Sequence, residues 1–293
     1  MRYLSKYFLF ALSFIPFAAA WSECPVTGES NVQLQILGSG GPNGNGERAS
    51  SAYVLWVDGV GRILVDAGSG TKLAFDQSSA NFNDIDLVAL SHFHPDHSAE
   101  LPALLWTPPR GSVRISGPTG SDQVPSLDSF LESLFGESGA FSVTYGRLDF
   151  DPITVDVNGT DVTEVWSDGD LVVRGRSVPH SDIPAVGYRV DIGDISIAFT
   201  SDQNGSDDSF IEFIEDVDVL VIHMTSSEDS NSPLHARPSV WGQMATAANA
   251  GRVVVSHIGA SSPQALNASL DVLAENYSGP VTVGKDLLCV EVN

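Results

Sequence analysis

The stretch Ser91-His92-Phe93-His94-Pro95-Asp96-His97 puts three imidazoles and a carboxylate where the apolar run 85–90 gives way to a loop. His92 and His94 are two positions apart, so on an extended backbone their rings point the same way and can share one ion. Asp96 and His97 then reach toward a second. The spacing suggests two metals; the plainer alternative is an incidental histidine cluster. That alternative leaves the other four of the chain's seven histidines without a shared purpose. Two divalent ions held side by side polarise an ester oxygen and bring the pKa of water to about 7, which is hydrolytic chemistry at neutral pH.

The stretch resembles the H-x-H-x-D-H signature of the metallo-β-lactamase-fold hydrolases, which hold a dinuclear zinc centre between two β-sheets. The resemblance implies a full ligand set in chain order. His180, after the strand-like run 171–178, joins His92 and His94 on the first metal. Asp202, ending the buried-strand pattern 195–201, bridges the two, and His257, closing 253–256, completes the second with Asp96 and His97. Taken singly, a His or Asp at a strand end reads more readily as a hydrogen-bonded structural residue. Their number and order point to ligands.

The segment Ile36-Leu37-Gly38-Ser39-Gly40-Gly41-Pro42, with Glu47-Arg48 and the run from Ile63 to Thr71, narrows the branch. It resembles the opening of ribonuclease Z and its relatives, a group that includes secreted arylsulfatases and cyclic-nucleotide phosphodiesterases. The glycines let the backbone turn tightly beside a metal loop, as they would in an ordinary β-turn cluster. Asp66 stands where a carboxylate orients a metal-bound histidine, although an N-cap or turn role fits as well. In this branch a histidine before a helix donates a proton, and Leu234-His235-Ala236-Arg237 occupies that place. The resemblance thus implies Asp96 and His235 as catalytic residues. The match is partial, because Met224 in Val221-Ile222-His223-Met224-Thr225 replaces the glutamate that supports the histidine. Arg237 is a candidate clamp for a phosphate or sulfate oxygen, or an ordinary surface arginine. The implied cofactors are two Zn2+, with Mn2+ or Fe2+ admissible in one site.

Met1 to Ala20 carries Arg2 and Lys6, an apolar run from Tyr7 and the ending Ala18-Ala19-Ala20, the pattern of a secretory signal peptide. Its removal takes two basic residues and no acidic one, moving the formal charge from −23 to −25. Cys24 and Cys289, the only two cysteines, are expected to be bridged in an oxidising compartment. With 37 acidic residues against 14 basic ones, the surface is expected to repel long polyanions. Ribonuclease Z enzymes that process tRNA commonly insert a long arm between the third-motif histidine and the bridging aspartate, whereas His180 and Asp202 are only 22 positions apart. The expectation is therefore a periplasmic or secreted dinuclear zinc hydrolase that cleaves a small anionic phosphodiester or sulfate ester with a hydroxide generated between its metals. No nucleic acid and, after signal cleavage, no membrane is expected as partner; a homodimer is admissible. A lactonase or β-lactamase-type ring-opening hydrolase is the alternative. A non-catalytic binding protein and a tRNA 3′-processing ribonuclease stand behind it.

Those side chains need a scaffold. Strand patterns fall at about 32–37, 51–57, 62–66 and 85–90, and helical patterns near 99–105, 124–135, 207–214, 238–250 and 262–275, interleaved with later strands. No linker or repeat divides residues 21–293, so one domain is expected. An α+β four-layer αβ/βα sandwich accommodates this order and leaves every motif loop at one edge. Gly251 is read as the stop of the helix that starts near Pro238. That helix would set His235 just before it and His257 just after the next strand, at the same rim.

Overall fold

A computed structural model describes Cys24, residues 31–43 and residues 47–293; segment 1–20, expected from the sequence to be a signal peptide, lies outside the described residues. The described residues form fourteen strands: β1 (Val32–Gly38), β2 (Ala52–Val57), β3 (Val60–Val65), β4 (Leu87–Ala89), β5 (Val113–Pro118), β6 (Phe150–Val155), β7 (Thr163–Asp168), β8 (Leu171–Val178), β9 (Ala185–Ile192), β10 (Ile195–Phe199), β11 (Val219–His223), β12 (Arg252–Ser256), β13 (Val281–Val283) and β14 (Leu288–Val292). They form two seven-stranded sheets, ordered β14-β1-β2-β3-β4-β5-β6 and β13-β12-β11-β10-β9-β8-β7. The helices are α1 (Thr71–Gln77), α2 (Pro95–Ser98), α3 (Leu101–Leu104), α4 (Leu127–Phe135), α5 (Phe210–Phe213), α6 (Pro238–Ala247) and α7 (Pro263–Asn276). Among the described residues no helix is long and apolar enough to cross a membrane.

The layering follows from strands that are apolar on both faces. In β2, Tyr53 and Leu55 point into the core between the sheets, while Val54 and Trp56 point outward beneath the helices of the first sheet. In β11, Val219 and Val221 face inward and Leu220 and Ile222 face the layer that contains Trp241 of α6 and Leu273 of α7. A period of two with hydrophobic residues in both phases requires cover on both sides. The result is the four-layer αβ/βα sandwich. Full burial of a side chain such as Phe199 contributes about 1.5–3 kcal/mol, and the residues between the sheets are almost all shielded from solvent.

Within each sheet, half is antiparallel and half parallel. β3 to β6 and β10 to β13 are the parallel parts. Open parallel sheets present their ligand loops at the carboxyl ends of the strands. Here the carboxyl ends of β4, β10, β11 and β12 lead into the histidine stretch, Asp202, His223–Met224 and His257.

The helix that follows His235 ends differently from the sequence reading. Its last residue is Ala247, and Asn249, not Gly251, takes the left-handed conformation at φ 51°. The Asn249 N–H then donates to Thr246 O and the Ala250 N–H to Ala245 O at 3.0 Å, the paired bonds of a Schellman stop. Gly251 is needed for another reason: a Cβ there would lie 3.0 Å from the Asp218 carbonyl oxygen. At the other end of the chain, Cys24 is disulfide-bonded to Cys289 of β14, with their Cα atoms 5.6 Å apart.

Candidate metal centre

Local backbone sets the histidine stretch. Pro95 fits the first position of α2, where its missing N–H removes nothing the helix needs, and His94 is the preceding cap residue. Asp96 falls in the first turn, and His97 one position later turns back into the buried interior. His92 Nε2 and His94 Nδ1 lie 2.9 Å apart, and these two residues, His180 and Asp202 present ligand atoms all within 4.8 Å of one another. A second group, His97, Asp202, His223 and His257, meets the same limit. Asp96 adjoins this group, with Oδ2 3.2 Å from His257 Nε2 and 3.7 Å from His97 Nε2, while the two Nε2 atoms are 3.0 Å apart. Metal–ligand bonds of about 2.0–2.1 Å in a tetrahedron put neighbouring donors about 3.3 Å apart. The spacings match that. Asp202 touches both groups, with Oδ2 3.5 Å from His97 Nε2 and 4.0 Å from His92 Nε2, and Oδ1 3.4 Å from His257 Nε2.

The other ring nitrogens are held by the protein. Asp66 Oδ2 accepts from His97 Nδ1 at 2.7 Å, and its carboxylate also accepts from the Ser91 N–H and hydroxyl. Leu234 O accepts from His180 Nδ1 at 2.8 Å, Thr225 Oγ1 pairs with His257 Nδ1 at 2.7 Å, and Ser91 Oγ pairs with His92 Nδ1 at 3.1 Å. Each bond fixes Nδ1 and aims Nε2 at the cluster, the arrangement of histidines that ligate metals. His180 Nε2 is buried with no hydrogen-bond partner. Leaving such an atom unsatisfied costs about 1–3 kcal/mol, so the donor set fits a pair of divalent ions that would engage these nitrogens.

Electrostatics agree. Burial, reinforced by the neighbouring His97, holds His92 well below the ordinary histidine pKa, and burial takes His180 down to about 4. Both are neutral at pH 7, the form a metal requires. Burial works against a charged His97 too, but Asp66 and Asp202 outweigh it and hold its pKa well above the usual value. Burial likewise opposes ionisation of Asp202, yet His257, His97 and the bond from His223 keep its carboxyl well below the carboxylate range. The pocket therefore attracts positive charge. Several neighbours pay for their placement in backbone strain: Asp66, Ser181, Ser201 and His257 all have φ between 49° and 58°. Gly41 permits close approach, since a Cβ there would fall 2.7 Å from the His257 ring.

Two candidates of the sequence reading stand apart from the ligands, and one residue was missed. His235 Nδ1 is 3.7 Å from Asp202 Oδ2 and has no hydrogen-bond partner; burial lowers its pKa. Arg237 is exposed at the cap of α6, and none of its hydrogen bonds or ion pairs among the described residues reaches the cluster. His223 was not singled out as a site residue. Its Nδ1 donates to Asp202 Oδ1 at 2.8 Å, while its Nε2 lies 3.2 Å from the Tyr53 hydroxyl. Burial takes His223 down to about 4 and pushes the Tyr53 phenol up, so the neutral ring donates to the carboxylate and accepts from tyrosine. Its place becomes visible only in the fold, at the end of β11, paired in register with Ser256 beside His257.

A family model described as β-lactamase superfamily domain matches residues 61–258. Ribonuclease Z of Clostridium tetani is 29% identical over 55% of this chain, and the chain spans about half (51%) of that relative's length. Ribonuclease Z of Thermobifida fusca is 27% identical, covering 90% of this chain and 95% of its own. Among solved structures, YhfI of Bacillus subtilis, a metallo-β-lactamase fold protein, superposes with a TM-score of 0.72 at 20% identity, over 89% of this chain and 98% of that one. The short form of human tRNase Z gives 0.70 at 22% identity, over 89% and 99%.

These relatives correct two expectations. The small-ester substrate and the absence of a nucleic-acid partner are both overturned by relatives named as ribonucleases, one of them aligned over nearly its whole length. Physically, net charge sums the whole surface, whereas exposed charges more than about 8 Å from a ligand are largely screened at physiological salt. The short β9–β10 hairpin between His180 and Asp202 removes a gripping arm but leaves the centre that would cut a diester intact.

Proposed function

The chain belongs to the β-lactamase domain superfamily, and from that premise we propose that it is a metal-dependent hydrolase of phosphodiester bonds with RNA as its substrate. The observation that carries this reading is a single carboxylate, Asp202, shared by two histidine groups and facing His235. His92, His94 and His180 would hold one ion and Asp96, His97 and His257 the other, with Asp202 common to both. Two bound divalent ions, zinc in this reading, would supply Lewis acidity and a water of lowered pKa. Asp66 keeps the proton of His97 on Nδ1, so that Nε2 remains a lone-pair donor. His223 serves Asp202 in the same way, donating from Nδ1 and fixing the carboxylate plane. Of Asp96 and His223, Asp96 is the better ligand for the second ion, because both nitrogens of His223 are already engaged.

His235 Nδ1 is the atom proposed to carry a proton to the departing oxygen. Its pKa is lowered in the free protein, but an anionic diester beside it favours the protonated ring. The Cys24–Cys289 bond and the apolar leading segment support placement of the mature chain in an oxidising compartment. The test is zinc-loaded protein incubated with a structured RNA bearing a 3′ extension, with nitrocefin and an aryl sulfate in parallel. Endonucleolytic cleavage of the RNA that stops on chelation is expected. Intact RNA alongside turnover of either other substrate would overturn the reading.

A further inference from the structure

Beside the metal centre, a cavity of about 520 Å³ is lined by Arg48, Lys285, Ser261 and Ser262, with Ile258 in its wall. Ile258 directly follows His257, and its N–H donates to Ser39 O. The cavity and the cluster therefore share a wall. Arg48 is fixed at the other side of that wall: its Nη1 donates to Ser39 Oγ at 2.6 Å and to Gly284 O at 2.8 Å. Acidic residues outnumber basic ones 37 to 14, so a cation in this chain is expected to find a carboxylate. Arg62, Lys72, Arg114, Arg174, Arg176 and Arg189 do. Among the described residues Arg48, Arg110, Arg147, Arg237, Arg252 and Lys285 make no ion pair; of these, Arg48 and Lys285 line this one cavity, which Glu47 also borders, and the Lys285 side chain has no hydrogen bond. The serines come from the start of α7, whose first turn contains no acidic residue.

We propose that this cavity is a phosphate subsite, which takes a backbone phosphate next to the one held at the metal centre. The inference rests on the RNA reading above and offers a way for an acidic protein to hold a polyanion: two cations that make no ion pair line one cavity beside the metal centre, with the Asp286 carboxylate one hydroxyl, that of Ser39, removed from Arg48. Arg48 gives the subsite a fixed position, and Lys285 contributes a mobile point charge.

The experiment measures equilibrium binding of a fluorescent, hydrolysis-resistant phosphorothioate oligoribonucleotide to the metal-loaded chain by anisotropy, across a salt series. Lys285→Ala should weaken binding about 3- to 10-fold at low salt and reduce the salt slope by about 0.7, the value for one phosphate contact on a single strand. Lys285→Arg should restore most of both. Arg147→Ala removes the same charge next to β6, at the opposite edge of the first sheet from β14, and should change binding less than about 2-fold if the effect is local. Equal losses in Lys285→Ala and Arg147→Ala, no loss in either, or no salt-dependent binding by the unaltered chain would overturn the subsite. RNA cleavage is scored separately, so an inactive protein that still binds through Lys285 counts against the function reading and for the subsite.

Discussion

Asp66→Asn isolates the second ion from the first. The carboxylate is buried and accepts three hydrogen bonds, from His97 Nδ1 at 2.7 Å, the Ser91 N–H at 2.8 Å and the Ser91 hydroxyl at 3.0 Å. An amide of the same shape keeps one acceptor oxygen and turns two N–H donors toward groups that are themselves donors. Either His97 loses its partner or its proton moves to Nε2, the atom needed for a metal. Loss of such a supporting group weakens metal affinity about 10- to 100-fold, equivalent to about 1.4–2.8 kcal/mol. His92, His94 and His180 do not touch Asp66 except through Ser91, so their ion should be held almost as before. Competition with a chromophoric chelator should resolve two binding steps in the unaltered protein and a selective shift of one in the variant. Activity should fall with it and recover at excess metal. Two unchanged steps, or an equal weakening of both in a folded variant, would refute the assignment of His97 and of Asp66 behind it.

His235→Ala should reduce cleavage by about 10²-fold, the lower end of the range for general acid help, with unchanged metal content and a loss that grows with leaving-group pKa; a flat leaving-group series would assign His235 to positioning. Thiol titration of the denatured, unreduced chain should find no free thiol at Cys24 or Cys289, and reduction should then release two. In chelator-treated protein, urea titrations should show stability falling as pH drops from about 6.5 toward about 4. His180 and His223 titrate at about 4 when folded, so over that window the unfolded chain binds more protons, and each adds a slope of about 1.4 kcal/mol per pH unit. Stability that is flat or rises on acidification would contradict the burial of these rings as neutral groups.

What the sequence made legible, and what it did not, divides along local and non-local lines. His92 and His94 were readable because a spacing of two on extended backbone fixes ring direction without knowledge of the fold. The sandwich was readable from strands such as β2 and β11, apolar in both phases. His223 was not, since its role depends on the parallel pairing that sets it beside Ser256 and on Tyr53 from the other sheet, 170 positions away. The end of α6 was misplaced because a glycine was given the left-handed position that Asn249 fills. β14 pairs with β1 across almost the whole chain, and no local pattern announces that register. The expectation of no nucleic-acid partner rested on total charge, which says nothing of how that charge is distributed over the surface.

The replacement of the supporting glutamate by Met224 has a structural counterpart that keeps His235 in place. Met224 is buried in the layer beneath α6, where its thioether packs with apolar side chains. The loop before α6 is anchored instead by Glu228, which accepts from the Ser239 N–H at 3.0 Å and the Ser239 hydroxyl at 2.6 Å and so ties the loop to the first turn of the helix. Closer in, the Ala236 N–H donates to Gln203 O at 2.7 Å, next to Asp202, and Leu234 O takes the His180 proton. His235 thus sits between two residues whose backbones are each bonded to a ligand loop. A displacement of this loop cannot occur without releasing His180 Nδ1, so the same backbone that places the proposed proton carrier also holds the tautomer of His180, a proposed ligand of the first ion. That coupling replaces a carboxylate contact with a backbone one, and it leaves the Nδ1 of His235 free for a partner that arrives with the substrate.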